Sequence, residues 1–295
     1  MERKVDVMII GAQKSGTTSL LRYLGEHPNC IAHPQKEFAY FVDNDEYGRG
    51  FEKAYFKYYS NQIIAPDVKI VCKNAGIYVD EEALLRLKEN NPKCKLIFIL
   101  RNPIERTYSS YLMEKNYGSV EFEFSDLPEL IKRHEENDNS WGFNFFIDFG
   151  HYAHYLKKIY RHFPKEQVKV LLYRDLRDNA LGTCKELYNF IGIDPDFEPN
   201  VSVKHNVTQK TRSQTYAKLS KKLLANDTIF KKILKLFIKE NSIYKYGEFV
   251  RDINKTNDKH EIMNNDVRDF LINYYKPHNE ELEKLIGKDL SDWNK

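Results

Sequence analysis

The residues most able to do chemistry in this chain lie in its first loop. An apolar run over residues 5–10 leads directly into Gly11-Ala12-Gln13-Lys14-Ser15-Gly16-Thr17-Thr18-Ser19. The glycines permit a tight loop whose backbone N–H groups turn towards an anion, and the helix that follows directs the positive end of its dipole at the same point. The pattern therefore predicts a strand, a loop and a helix that together bind a phosphate or sulfate group.

The order of residues in this loop differs from that of a nucleotide-hydrolysing P-loop. Such a loop has its lysine after the second glycine, followed by a magnesium-binding Ser or Thr. Here Lys14 precedes Gly16, and no apolar strand ends in a clear metal-binding Asp. These features favour a metal-free phosphate ester over magnesium ATP. The alternative is an ordinary strand-to-helix turn that contains glycine.

A second segment offers another anion site. The apolar run Cys94–Leu100 reads as a buried strand, and Arg101 follows it at the carboxyl end, the edge at which open α/β sheets bind ligands. Ser109 comes eight residues later, about two turns along the predicted helix and on nearly the same face. A guanidinium and a hydroxyl could thus converge on one phosphate.

With both motifs present, the sequence resembles the sulfotransferases that use 3′-phosphoadenosine 5′-phosphosulfate (PAPS), particularly the branch with heparan sulfate sulfotransferases and many bacterial enzymes. The resemblance implies an α/β, P-loop-like three-layer fold with a mostly parallel central sheet flanked by helices. It implies PAPS as co-substrate, 3′-phosphoadenosine 5′-phosphate (PAP) as product, and no metal. The 5′-phosphosulfate would be held by Lys14, Ser15, Gly16, Thr17, Thr18 and Ser19, and the 3′-phosphate by Arg101 and Ser109.

Further segments extend the resemblance over nearly the whole chain. Lys36-Glu37-Phe38-Ala39-Tyr40-Phe41 is similar to the segment that carries the branch's catalytic glutamate, and Lys73 lies in the segment that carries an active-site lysine. Tyr173 could line the nucleotide cleft or be a partly buried aromatic at a strand end. The late loop with Lys210, Thr211 and Arg212 resembles one that closes over the 3′-phosphate, although it lacks the usual proline or double glycine. Ala39 stands where the branch often has histidine.

The resemblance assigns Glu37, Lys14 and Lys73 to catalysis. Lys14 and the loop N–H groups would stabilise negative charge on the leaving phosphate, and Glu37 would take the acceptor's proton. Lys73 would orient the acceptor or neutralise the sulfuryl oxygens. The acceptor is expected to be a hydroxyl or amine of a glycan or another small molecule.

Several alternatives stay open from the sequence. Glu37 could be a solvent-exposed glutamate beside Lys36, and a histidine could be the base, with His33, His151 and His154 as candidates. A P-loop nucleotide kinase would need magnesium and residues that are absent from the motif. A catalytically silent nucleotide-binding module is the third class of function.

Composition excludes other classes of protein. The chain has 295 residues, of which 41% are hydrophobic and 30% charged, with no apolar run of the roughly 20 residues that a membrane span needs. A net charge of +3 does not indicate a nucleic-acid partner, and four cysteines without metal-like spacing read as buried reduced thiols. The charged residues before the first strand do not resemble a secretory signal. We expect a cytoplasmic, bacterial enzyme of unknown oligomeric state.

The pattern of elements predicts one sulfotransferase domain over residues 1–295. Strands are expected at 5–10, 69–72, 95–100 and 167–173, and helices at 17–26, 80–90, 103–116, 150–162 and 181–192. Residues 117–149 are interpreted as a lid or acceptor segment, or else as a surface excursion packed on its own aromatics. Residues 214–260 are interpreted as a helical basic insertion whose basic face is either solvated or binds an acceptor or a membrane surface.

Overall fold

The computed structural model describes residues 3–60, 65, 67–136, 146–202, 210–211, 213, 215–216, 255–256 and 262–295. Contacts between residues divide the chain into two compact units. The first unit comprises residues 1–106, 147–206 and 274–295, and the second comprises residues 107–146 and 207–273. The interpretation of the whole chain as a single domain stays a prediction.

A five-stranded parallel sheet forms the centre of the first unit. Its strands are β1 (Val7–Gly11), β2 (Cys30–Ala32), β3 (Lys69–Lys73), β4 (Lys95–Leu100) and β5 (Val168–Leu172). They lie in the order β2-β3-β1-β4-β5, so that the central strand β1 pairs with β3 on one side and β4 on the other. Every residue of β1 is buried, as expected for a parallel strand covered on both faces.

Helices cover both faces of this sheet. The first unit contains α1 (Thr17–Glu26), α2 (Asn44–Gly48), α3 (Phe51–Tyr59), α4 (Glu81–Asn90), α7 (Tyr152–His162), α8 (Tyr173–Asp178) and α9 (Ala180–Ile191). Alternate residues of β1 enter two separate apolar clusters. Met8 packs with Phe98 and Tyr152, whereas Ile9 packs with Leu20 and Leu187. The predicted three-layer α/β fold is therefore confirmed.

The predicted strands and helices end within two residues of the observed ones. In the first unit, four of the described helices and strands were not predicted: β2, α2, α3 and α8. Strand β2 has three residues and α2 has five, too few for an apolar period to show. Helix α8 begins immediately after β5, so Tyr173, interpreted as a strand end, is instead the first residue of a helix.

Helices α5 (Pro103–Asn116) and α10 (Asn265–Ile286) each have residues in both units. The second unit also contains α6 (Leu127–Glu136), preceded by a 3-10 turn at Phe124–Asp126, and the short antiparallel pair β6 (Lys210–Thr211) and β7 (Lys255–Thr256). The aromatic rings of Tyr108, Tyr111 and Phe124 contact one another there.

The two segments singled out as a lid and a basic insertion are only partly described. The predicted lid 117–149 includes α6, but its residues 137–145 lie outside the described residues, as does most of the basic segment 214–260. Both functional interpretations stay predictions. In the described part of the chain, no helix combines the length and the apolar character that crossing a membrane requires.

Candidate active site

The first loop leaves β1 and turns sharply before α1. Lys14 has a left-handed backbone with φ 68°, and Gly16, the residue before the helix, has φ 86°. The backbone N–H of Ser15 donates to the Ala12 carbonyl at 3.2 Å. The carbonyl of Gly16 accepts the N–H of Leu20, one turn into α1, at 3.1 Å. The N–H groups of the first helical turn therefore face the loop, as at other helix starts.

Gly16 is required here for two reasons. Its positive φ is strained for a residue with a side chain, and a Cβ at this position would lie 3.1 Å from both the Tyr173 ring and the Leu176 side chain. Tyr173 thus packs against the predicted phosphosulfate loop. The start of α8, directly after β5, positions this ring at the carboxyl edge of the sheet.

Arg101 lies at the same edge, directly after β4. Its guanidinium Nη1 donates to the Lys14 carbonyl at 3.1 Å, and its Cζ lies 5.2 Å from the centre of the Tyr173 ring. The Glu105 carboxylate lies 3.7 Å from the other terminal nitrogen. The structure therefore brings Arg101, Tyr173 and the first loop together, and their binding of one nucleotide stays a prediction.

Glu37 and Lys73 form the second group of the site. Lys73 is the last residue of β3, and its ammonium lies 2.9 Å from Glu37 Oε1 and 3.3 Å from the Thr18 hydroxyl. The other oxygen of Glu37 accepts the backbone N–H of Ala75 at 2.9 Å. Lys73 therefore joins the predicted base to the first turn of α1, and so to the first loop.

Backbone pairing holds Glu37 in this place. The N–H of Phe38 donates to the Lys73 carbonyl at 2.7 Å, and the Asn74 side-chain amide donates to the Phe38 carbonyl at 3.2 Å. The Phe38 side chain is completely buried against the ring of Tyr58. The segment after β2 is thus fixed to the end of β3, and Glu37 keeps a side chain that is 37% exposed.

Burial of the Lys73 side chain, which is 1% exposed, lowers its pKa below the usual value. The Glu37 carboxylate opposes this shift, since it favours the charged ammonium. The ammonium group of Lys36 and the guanidinium of Arg22 act with burial to lower the pKa of Lys73 further. The predicted base therefore lies in a strongly cationic part of the molecule.

The three candidate histidines differ in their surroundings. His33 is completely buried, its Nε2 accepts the backbone N–H of Lys73 at 3.1 Å, and burial lowers its pKa to about 3. His151 packs against the tilted ring of His278, with ring centres 4.2 Å apart, and burial lowers its pKa to about 3 as well. His154 lies on an exposed position of α7. His33 thus supports the backbone of Lys73 and is enclosed by protein.

Other predicted residues belong to the second unit or lie outside the described residues. Ser109 lies in α5 within the second unit. Lys210 and Thr211 form β6 in the same unit, and Arg212 lies outside the described residues. Their assignment to the 3′-phosphate stays a prediction. The Ser15 side chain is completely buried, so this residue faces the protein interior.

Two contributors to the site had no signal in the sequence. One is the backbone N–H of Ala75, which any residue type could provide. The other is Tyr152, whose hydroxyl donates to the Arg101 carbonyl at 2.9 Å. In the described residues, no group of three or more His, Cys, Asp or Glu side chains could hold a metal ion.

Comparison with known proteins identifies the family. The sulfotransferase domain matches residues 4–293, so the chain belongs to the sulfotransferase domain family. The bifunctional heparan sulfate N-deacetylase/N-sulfotransferase 3 of Homo sapiens is 24% identical over 99% of this chain and 31% of its own length. The membrane-associated sulfotransferase kil1 of Dictyostelium discoideum is 27% identical over 96% of this chain and 65% of its own length.

The fold is also similar to that of a solved sulfotransferase structure. The crystal structure of a sulfotransferase from Alicyclobacillus acidocaldarius superposes with a TM-score of 0.68 at 20% identity, covering 99% of this chain and 100% of the other. The family and fold predicted from the motifs are confirmed. The chain spans only about a third of the length of the human and mouse relatives. The activities of those whole proteins therefore do not transfer to this chain.

Proposed function

We propose that this chain transfers a sulfuryl group from PAPS to a hydroxyl or amine of a glycan or other small acceptor. The observation that carries the proposal is the bridge made by Lys73, whose ammonium contacts both Glu37 and Thr18. It links a carboxylate able to accept a proton with the loop that is suited to bind the reacting anion. A site used only for binding a nucleotide would not need this carboxylate.

In this proposal the chain's own residues divide the reaction between them. Lys14 and the N–H groups at the start of α1 stabilise negative charge on the leaving phosphate. Glu37 accepts the proton of the attacking hydroxyl or amine, and Lys73 neutralises the sulfuryl oxygens as they pass between donor and acceptor. None of the residues proposed to bind the nucleotide is a carboxylate, which fits an anionic co-substrate.

The residues assigned to nucleotide binding are proposed on three different grounds. Seven residues are proposed because they lie at the carboxyl edge of the sheet: Lys14, Gly16, Thr17, Thr18, Ser19, Arg101 and Tyr173. Ser15 contributes through its place in the loop backbone. Ser109, Lys210, Thr211 and Arg212 are proposed on the sequence resemblance alone.

A glycan acceptor is supported by two features. The names of the human and mouse relatives include heparan sulfate. In this chain, Lys36 and Arg22 are near enough to Lys73 to lower its pKa, so cations gather beside the lysine that pairs with Glu37, which would favour an anionic glycan. The cytoplasmic, bacterial location predicted from the sequence stays a prediction.

The test has two steps. Calorimetry with PAP and with magnesium ATP in parallel should show tighter binding of PAP. The protein is then incubated with sulfur-radiolabelled PAPS and N-desulfated heparan sulfate, a neutral oligosaccharide or a small phenol, and label transfer is measured. Tighter binding of magnesium ATP would support the kinase alternative. PAP binding without transfer to any acceptor offered, including fractionated cell extracts, would support a silent binding module.

A further inference from the structure

Tyr152 is a buried side chain that the reaction does not use directly. It is the first residue of α7, is 1% exposed, and donates its hydroxyl to the backbone carbonyl of Arg101 at 2.9 Å. Arg101 is the residue that we propose binds the 3′-phosphate. The hydroxyl of Tyr152 therefore fixes the backbone from which that guanidinium extends.

Arg101 in turn contacts the loop at the other end of the proposed nucleotide site. Its Nη1 donates to the carbonyl of Lys14 at 3.1 Å, and Lys14 has the left-handed φ of 68°. A left-handed backbone at a residue other than glycine persists only where the surrounding structure holds it. The bond from Arg101 supplies such support, so the two loops are connected through one side chain.

Ser15 approaches Tyr152 from the first loop. Its side chain is completely buried and close enough to lower the pKa of Tyr152, but its hydroxyl has no hydrogen bond of standard length within the described residues. Burial outweighs this effect and raises the pKa of Tyr152 to about 12. The phenol is thus protonated at neutral pH and remains a hydrogen-bond donor.

The ring of Tyr152 is held independently of its hydroxyl. It packs edge-on against Phe98 of β4, with ring centres 6.0 Å apart, and against Trp293 near the end of the chain, with ring centres 6.1 Å apart. A phenylalanine at this position would keep these apolar contacts. Removal of the hydroxyl therefore isolates its bond to Arg101.

We propose that Tyr152 is a positioning residue that sets the spacing between the loop carrying Arg101 and the loop carrying Lys14. This inference rests on the proposed function, since it supposes that the two loops bind opposite ends of one nucleotide. Loss of the hydroxyl should free the backbone of Arg101 and weaken the hydrogen bond from the Arg101 guanidinium to the Lys14 carbonyl. Binding of the 3′-phosphate should be weakened more than binding of the 5′-phosphate.

The experiment measures the affinities of PAP and adenosine 5′-phosphate for the wild type and for Tyr152→Phe. We expect the Tyr152→Phe variant to bind PAP about five- to tenfold more weakly, the scale of one hydrogen bond, with less than about a twofold change for adenosine 5′-phosphate. The matched control is Tyr59→Phe. Tyr59 is also buried in the same apolar cluster, and its hydroxyl donates to the Val71 carbonyl at 2.9 Å.

The control should lose stability without changing the ratio of the two affinities. A double variant distinguishes an effect that acts through Arg101 from a general loss of structure. When Arg101 is already replaced with Ala, Tyr152→Phe should not change the ratio of the PAP and adenosine 5′-phosphate affinities any further. An unchanged ratio in Tyr152→Phe, or equal weakening of both nucleotides, would overturn the inference while leaving the proposed function intact. A wild type that binds both nucleotides equally would instead contradict the proposed 3′-phosphate site.

Discussion

At the scale of single residues, the carboxylate of Glu37 is held from two sides. Lys73 binds one oxygen and the N–H of Ala75 binds the other. These donors fix the orientation of the carboxylate, and its remaining exposure leaves room for an acceptor. Lys73 is buried while Glu37 is partly exposed, so the carboxylate is the member of the pair that faces solvent. The pair is therefore built to present the carboxylate outward.

Replacement of Glu37 with Gln tests this role. Glutamine keeps the size of the side chain but cannot accept the proton, so we expect sulfuryl transfer to fall by roughly 10²- to 10⁴-fold with PAP affinity nearly unchanged. The decline of the wild-type rate at acidic pH should disappear. Transfer is measured against pH, with Glu81→Gln as control, because Glu81 pairs with His162 at the surface. Substantial activity with an intact acidic decline would instead indicate a histidine base.

Replacement of Lys14 with Ala separates chemistry from binding in the first loop. The cation beside the breaking bond would be lost, so turnover should decrease by at least about a hundredfold, the scale of one transition-state donor. PAP affinity should decrease less, because the desulfated product lacks the reacting group. The measurements are the turnover rate and PAP calorimetry. Lys93→Ala, at an exposed turn, serves as control; near-normal turnover in Lys14→Ala would remove this residue from the mechanism.

At the scale of elements, the start of α1 and the start of α8 depend on each other. Gly16 directly precedes the first helix with φ 86°, and the ring of Tyr173 occupies the space where a side chain would be. Tyr173 also lies beside the guanidinium of Arg101. Three strand ends, those of β1, β4 and β5, are thus fitted together at one edge of the sheet.

Gly16→Ala should disturb this fit, and Gly192→Ala is its matched control. Gly192 ends α9 with φ 78°, but a Cβ there meets nothing within 4 Å. Both variants should lose about 1 kcal/mol of stability from the strained φ. Gly16→Ala should lose about 1 to 2 kcal/mol more and bind PAP more weakly, because Tyr173 and Leu176 must move. Urea unfolding and calorimetry measure these effects; equal losses in both variants would show that the Tyr173 contact is unimportant.

At the scale of the whole molecule, buried neutral histidines connect the fold to pH. His33 has a pKa lowered to about 3, chiefly by burial and then by the neighbouring Lys73 ammonium. In the unfolded chain, the pKa of the same group is about 6.5. Between these values the unfolded state binds a proton that the native state does not. The free energy of unfolding must therefore decrease as pH falls from about 6.5 towards 3.

His33→Gln tests this linkage. Glutamine cannot titrate, but its carbonyl could still accept the N–H of Lys73, as His33 Nε2 does. The contribution of His33 to the loss of stability between pH 7 and pH 5 is roughly 2 kcal/mol. The variant should lose about that much less over the same interval, measured by urea unfolding at each pH. An identical pH dependence for the two proteins would mean that His33 titrates normally in the native state.

Much of the site was determined by the sequence alone. The loop after β1, the glycine at the helix start and the position of Arg101 after an apolar strand depend on neighbouring residues, so local patterns revealed them. The carboxyl ends of parallel strands share one edge of a sheet, which is why two such loops could be predicted to lie together. In the first unit, β2 and α2 escaped prediction because they are too short for an apolar period to show, and α8 because it follows β5 without a loop.

The contacts that organise the site were decided by the tertiary structure. Glu37 and Lys73 are 36 residues apart, Tyr152 and Arg101 are 51 apart, and Arg101 and Lys14 are 87 apart. The sequence supplied no reason to pair Tyr152 with Arg101, or to bury His33 rather than expose it as a base. Such pairs are set by the order of the strands, with β1 between β3 and β4, and by the helices packed on them. Local sequence fixes which groups are available, whereas the packing of distant elements decides which of them meet.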